Sequence, residues 1–182
     1  MSGAPGRTGL SIGAAALLAP APTAPRSPSS ECELRAAILA DVPGLERLMA
    51  PYVATGDLLP RSDYDLCRHI KEYVVAEDAS GAVVACGSLK VYSRGLGEIA
   101  GLAVRVDHQG TGLGRAIVDG LLAEARRMGL IEVLALTRRP AFFLRVGFTT
   151  TDKAHFPLKV WADCARCPRR ECCDEIAVSA TL

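Results

Sequence analysis

The sequence predicts an α+β fold in which helices flank a mixed central sheet. Three observations carry that reading. Apolar runs of strand length alternate with stretches of helical period in the order β-α-α-β-β-β-α-β-α-β. Two of the strands are joined by a tight Asp-Ala-Ser-Gly turn, the pattern of an antiparallel hairpin. A glycine-rich loop, Gly110 to Gly114, then links an apolar strand directly to an amphipathic helix.

Residues 33–38 read as the first strand. Asp41 is placed to cap a helix over 42–49, with Pro43 early in it, where a missing N–H costs nothing. Leu45, Leu48 and Met49 supply its buried stripe. A loop over 56–61 leads to Ser62, the cap of a second helix ending at 70. The hairpin follows over 73–77 and 82–91, and 99–106 is the central strand. Beyond the glycine loop, Leu113, Ile117, Leu121, Leu122, Ala125 and Met128 fall on one helical face. Arg115, Asp119, Glu124 and Arg126 fall on the other, and Gly129 ends the helix. A strand over 131–136, a short helix around 141–145 and a last strand near Phe148 complete the order.

Composition limits the function classes. With 182 residues, 49% of them apolar, the chain supports one domain with a sizeable core. A net charge of +1 gives no electrostatic footprint for nucleic acid or an anionic membrane. No apolar run reaches the ~20 residues of a membrane-spanning helix. Residues 1–31 are rich in Ala, Pro, Ser and Gly, with Arg7 and Arg26 as the only charges before Glu31, and read as a disordered leader. The prolines Pro20, Pro22, Pro25 and Pro28 speak against a signal peptide, so a cytoplasmic location is expected. The folded domain is assigned to 32–156, with a cysteine-containing tail, 157–182, packed on it. Seven cysteines, with Cys32, Cys67 and Cys86 in apolar or helical contexts, are not a secreted disulfide framework.

The loop carries the chemistry. A helix start leaves backbone N–H groups without partners, and glycines let an anion sit directly on them. No lysine follows the glycines, which excludes a P-loop, and the spacing does not fit a dinucleotide fingerprint. Gln109-Gly110-Thr111-Gly112-Leu113-Gly114 instead resembles the pyrophosphate loop of the GNAT superfamily, the acetyl-CoA-dependent N-acetyltransferases. The resemblance runs over about 33–151 and implies the GNAT fold with acetyl-CoA as co-substrate. It places pantetheine along an irregularity at Gly101, Leu102, Ala103 and Val104, and the diphosphate on Gln109, Gly110, Thr111, Gly112, Leu113, Gly114 and Arg115. It also puts Glu98 where family members carry a carboxylate base, acting directly or through water. Phe143 stands where many members have a tyrosine acid, so the thiolate leaves unaided or is protonated by water.

Three further features bear on the acceptor: Leu58-Leu59-Pro60-Arg61, Glu98-Ile99, and the tail from Lys159-Val160-Trp161 through Cys164-Ala165-Arg166-Cys167 to Cys173-Asp174-Glu175-Ile176-Ala177. Together they resemble the short, stand-alone bacterial N-acetylglutamate synthases. That resemblance implies L-glutamate as acceptor, a place at the start of arginine biosynthesis, and arginine feedback exerted through this domain or its tail. Ala100-Gly101 departs from the Arg-Ser of that group. A pocket for two carboxylates wants at least two cations, and Arg61, Lys90, Arg138 and Arg139 are the candidates. Cys164-x-x-Cys167 with Cys173 offers three zinc-type ligands, beside a redox role or plain packing. A homodimer is compatible with the sequence. Two other functions stay open: an N-acetyltransferase acting on another amino acid or small amine, and a non-catalytic module binding acetyl-CoA or zinc.

Overall fold

Asp78 closes the hairpin with its side chain as well as its backbone. Its carboxylate accepts the N–H of Ser80 at 3.0 Å and of Ala82 at 3.2 Å. On either side run β2 (Tyr73–Glu77) and β3 (Val83–Val91). The structure, a computed structural model, describes residues 32–162, 164–167 and 169–182. The proposed leader, 1–31, lies outside the described residues.

The hairpin belongs to a seven-stranded sheet in the order β1-β2-β3-β4-β5-β7-β6. The remaining strands are β1 (Glu33–Ala36), β4 (Leu96–Val104), β5 (Glu132–Thr137), β6 (Thr149–Thr151) and β7 (Ile176–Thr181). Every neighbouring pair is antiparallel except β4 with β5, which are parallel. The sheet is thus mixed, as the sequence predicts. It also holds a strand that the sequence reading did not contain: β7 inserts between β5 and β6, so the end of the tail is part of the sheet.

Helices cover both faces. The amphipathic α3 (Leu113–Arg127) buries Leu113, Ile117, Val118, Leu121, Leu122 and Ala125 against Leu89, Ile99, Val133 and Val178. Val118 joins this stripe, whereas Met128, expected in it, lies past the helix end and is exposed. The opposite face carries α1 (Val42–Ala54) and α2 (Asp63–His69), packed on Tyr73, Val75, Cys86 and Ala103. A smaller cluster of Leu134, Phe156 and Ala177 lies at the entry to α5 (Pro157–Ala162). The short α4 (Pro140–Arg145) follows β5. No described helix is long and apolar enough to cross a membrane.

Local chemistry explains most boundaries. Ser62 caps α2 as expected, accepting the Asp65 N–H at 3.1 Å while Asp65 reaches back to the Ser62 N–H. Asp41 precedes α1, but its carboxylate does not cap it. It accepts the Ile38 N–H at 2.8 Å and both terminal nitrogens of Arg35. α1 runs on through Pro51 to Ala54, further than predicted. Proline there removes only one backbone donor, and the stripe Val42, Leu45, Leu48, Met49 holds the helix to the sheet.

Two irregularities of the sheet make the site. β4 pairs with β5 only from Leu96↔Glu132 to Glu98↔Leu134, and beyond that the two strands part. In the same stretch β4 bulges against β3: Ala100 faces Ser88 and Ala103 faces Cys86, leaving Gly101 and Leu102 opposite Gly87 alone. Gly101 takes φ +61°, a conformation open to glycine at little cost.

Candidate active site

Where β4 and β5 separate, a cleft of about 1030 Å³ opens. One wall is the bulged strand from Ile99 to Val104, and the other is formed by the end of β5 and the start of α4, including Arg138, Arg139 and Phe142. Gly110, Gly112 and Gly114 lie along it at the head of α3. Gly110 at φ +78° and Gly112 at φ +94° turn the chain into the helix, and the first-turn N–H groups of α3 have no intrahelical partner. Leu113 is fully buried and anchors this turn, while the Thr111 hydroxyl donates to the His108 carbonyl at 2.7 Å. These two shape the loop from behind, and their side chains do not line the cleft. Arg115 does, with its Nε 3.3 Å from Asp119.

The strand end offers an acceptor on the same side. The Arg105 N–H donates to Val84 on β3 at 2.8 Å, so the Val104 carbonyl, in the same peptide group, points the other way. That direction is the splay. Tyr52 of α1 donates its hydroxyl to this carbonyl, and the Gln109 side chain donates to Tyr52 Oη at 2.8 Å and to the carbonyl at 3.3 Å. The sequence does not single out Tyr52 as a site residue. Nothing local marks it, because its partners are on β4 and the glycine loop.

Glu98 is buried in β4, which begins at Leu96. One carboxylate oxygen lies 2.9 Å from the Lys159 ammonium of α5, and the other accepts the Tyr92 hydroxyl at 2.6 Å. It does not line the cleft. Phe143 is buried edge-on against Phe142 and Phe148, each with ring centroids 5.2 Å away. A model of the acetyltransferase (GNAT) family matches residues 44–148, more than half of the chain. The chain belongs to this family.

The acetyltransferase has relatives that share its sequence well beyond the glycine loop. It is 37% identical over 155 residues to an uncharacterised N-acetyltransferase of Chlorobaculum tepidum, covering 85% of this chain and 99% of that one. To an amino-acid acetyltransferase of Mycobacterium tuberculosis it is 38% identical over 135 residues, 73% of this chain and 77% of the relative. It superposes on N-acetylglutamate synthase from Neisseria gonorrhoeae complexed with coenzyme A and N-acetyl-glutamate, with a TM-score of 0.75 and 27% identity over 85% of this chain. The chain spans only 36% of that protein. The Mycobacterium tuberculosis protein Rv2747, in complex with CoA, gives a TM-score of 0.72 and 32% identity, with 82% and 99% of the two chains covered. The glycine loop and the bulged strand along the cleft of this acetyltransferase fit acetyl-CoA as its co-substrate.

The cations expected for the acceptor divide into two groups. Arg138 and Arg139 both line the cleft, and Asp57 of the α1–α2 loop lies between them, 3.3 Å from Arg138 and 3.4 Å from Arg139. Arg138 also donates Nε to Asp174 of the tail at 2.8 Å. Arg61 and Lys90 do not line the cleft. Lys90 stands opposite Glu98 in the β3–β4 register, and the Arg61 charge acts on Tyr73. Burial pushes the Tyr73 phenol above its ordinary value, and Arg61 draws it partly back. Tyr73 Oη is buried with no hydrogen-bond partner among the described residues, and a Cβ at Gly101 would stand 3.4 Å from it.

The tail carries the cysteines read as zinc-type ligands. Among the described residues no three His, Cys, Asp or Glu side chains come together to hold a metal ion. Cys164, Cys167 and Cys173 are free thiols on a segment folded into short turns. The Cys173 thiol instead accepts from Lys153 Nζ at 3.2 Å. Cys86 is the buried hydrophobe expected, its thiol pushed up to about 12 by burial, while Cys32 and Cys67 are half-buried.

Proposed function

We propose that this GNAT acetyltransferase moves the acetyl group of acetyl-CoA to the α-amino group of L-glutamate by direct transfer in a ternary complex. The observation that carries the proposal is the pair of guanidinium groups, Arg138 and Arg139, on the cleft wall facing the bulged strand. Two forks on one wall suit an acceptor with carboxylates, and they disfavour a polyamine. The relatives named as amino-acid acetyltransferases and as N-acetylglutamate synthase support the same class.

In this reading the loop amides at Gly110, Gly112 and Gly114 take the diphosphate, and the backbone of Leu102, Ala103 and Val104 holds the pantetheine in strand-like register. An N–H of the bulge stabilises the oxyanion, an interaction worth about 2.7–4 kcal/mol in comparable sites. The new C–N bond forms as the C–S bond breaks, the amine gives up a proton, and the thiolate takes one from solvent. Glu98, which does not line the cleft, receives the amine proton through water and at the same time anchors Lys159. The product would open arginine biosynthesis, with arginine acting on this domain.

A second reading, an acceptor other than glutamate, is favoured by one observation. Asp57 and Asp174 already partner Arg138, and Asp57 also partners Arg139. The test is CoA-thiol release from purified protein and acetyl-CoA with glutamate, glutamine, aspartate, lysine and spermidine, each with and without arginine. Glutamate alone should give rapid release. Release for another amine alone would discard glutamate, and no release at all would point to a binding module.

A further inference from the structure

Asp57 occupies an unusual position for a loop carboxylate. It lines the cleft next to the two arginines proposed to bind the acceptor, and its side chain is only 23% exposed. Its Oδ1 faces Arg138 at 3.3 Å and its Oδ2 faces Arg139 at 3.4 Å, so each oxygen takes one guanidinium. The Thr55 hydroxyl donates to Oδ2 at 3.2 Å, and the Asp57 N–H is tied to the Tyr52 carbonyl at 2.8 Å. The residue before it, Gly56, has φ +74°, and its carbonyl accepts from Arg169 of the tail at 2.7 Å. The loop therefore presents one carboxylate to two cleft arginines from a defined backbone position.

We propose that Asp57 is an internal stand-in for the side-chain carboxylate of an acidic acceptor and sets the preference between acidic and amide acceptors. The inference rests on the reading of Arg138 and Arg139 as acceptor ligands. A glutamate side chain must share or displace Asp57, exchanging one half-exposed ion pair for another. Glutamine gains nothing from displacing it. Asp57 thus lowers the apparent affinity for glutamate by the fraction of time it holds the arginines, and leaves glutamine unaffected.

The test measures glutamate and glutamine binding by calorimetry on the CoA-loaded protein, with turnover of both in parallel, for wild type, Asp57→Asn, Asp57→Glu and Asp174→Asn. Asp57→Asn should bind glutamate about fivefold more tightly, the size of one half-exposed ion pair, with glutamine unchanged. Asp57→Glu should stay near wild type. Asp174→Asn removes a charge from Arg138 outside the cleft lining and should shift the ratio less. Equal shifts for both ligands, no shift for glutamate, or an Asp174→Asn effect matching that of Asp57→Asn would overturn the inference while glutamate turnover persists. If no form binds or acetylates glutamate, the proposed acceptor fails and this inference fails with it.

Discussion

The Tyr52 hydroxyl donates to the Val104 carbonyl across the gap between α1 and the end of β4, and Gln109 donates to that hydroxyl at 2.8 Å. One phenol thereby ties a helix, the strand that lines the cleft and the first residue of the glycine loop. Tyr52→Phe keeps the ring and loses the tie. We expect acetyl-CoA KM to rise about fivefold, corresponding to about 1 kcal/mol for one hydrogen bond, with kcat within about twofold. Steady-state kinetics with varied acetyl-CoA check this, and a fall in kcat at unchanged KM would contradict it.

Glu98 and Lys159 form a buried pair, with side chains 4% and 11% exposed. Glu98→Gln leaves Lys159 with a neutral partner, and breaking such a pair costs about 3–5 kcal/mol. Thermal unfolding should therefore show a large loss for Glu98→Gln and substantial recovery in Glu98→Gln/Lys159→Met. The double variant also separates structure from chemistry. If Glu98 takes the amine proton, kcat stays more than tenfold down in the double variant at a temperature where it is folded. Recovery of kcat along with stability would remove Glu98 from the proton path.

Arg35 reaches both Asp41, with its Nη1 2.7 Å from Oδ2, and Glu77. The hydrogen-bonded Arg35 guanidinium, more than any other cause, holds the Asp41 carboxyl below the ordinary carboxylate range. A depressed folded-state pKa contributes stability that is present above the unfolded value, about 3.9, and is lost as pH falls through the folded value. At pH 7, Asp41→Asn should lose about 2 kcal/mol, the scale of a charge-assisted hydrogen bond. Urea unfolding followed from pH 7 down to the acid range should show wild type and variant converging below about pH 3.9. A difference that persists unchanged into acid would contradict this assignment.

Much of this fold is legible in the sequence because its signals are local. The Asp78 turn, the Ser62 cap, the stripe of α3 and the glycine spacing each occupy a few consecutive residues, and each appears in the structure close to where it is read. What is not legible depends on distant partners. β7 is six residues of modest β-propensity, and its place between β5 and β6 comes from pairing with both. Met128 matches the helical period but falls beyond Arg127, where the helix has ended. Arg138 and Arg139 are visible as cations, yet their neutralising partner Asp57 is far along the chain. The same holds for Lys159 opposite Glu98 and for Tyr52 opposite Val104.

The most direct test of the account is competitive. Purified protein would be given acetyl-CoA with an equimolar mixture of amino acids and polyamines, and the acetylated products identified by mass spectrometry. N-acetylglutamate should be the dominant product, carrying the acetyl group on its α-nitrogen. Acetylation concentrated on any other amine, with glutamate left unmodified, would contradict it.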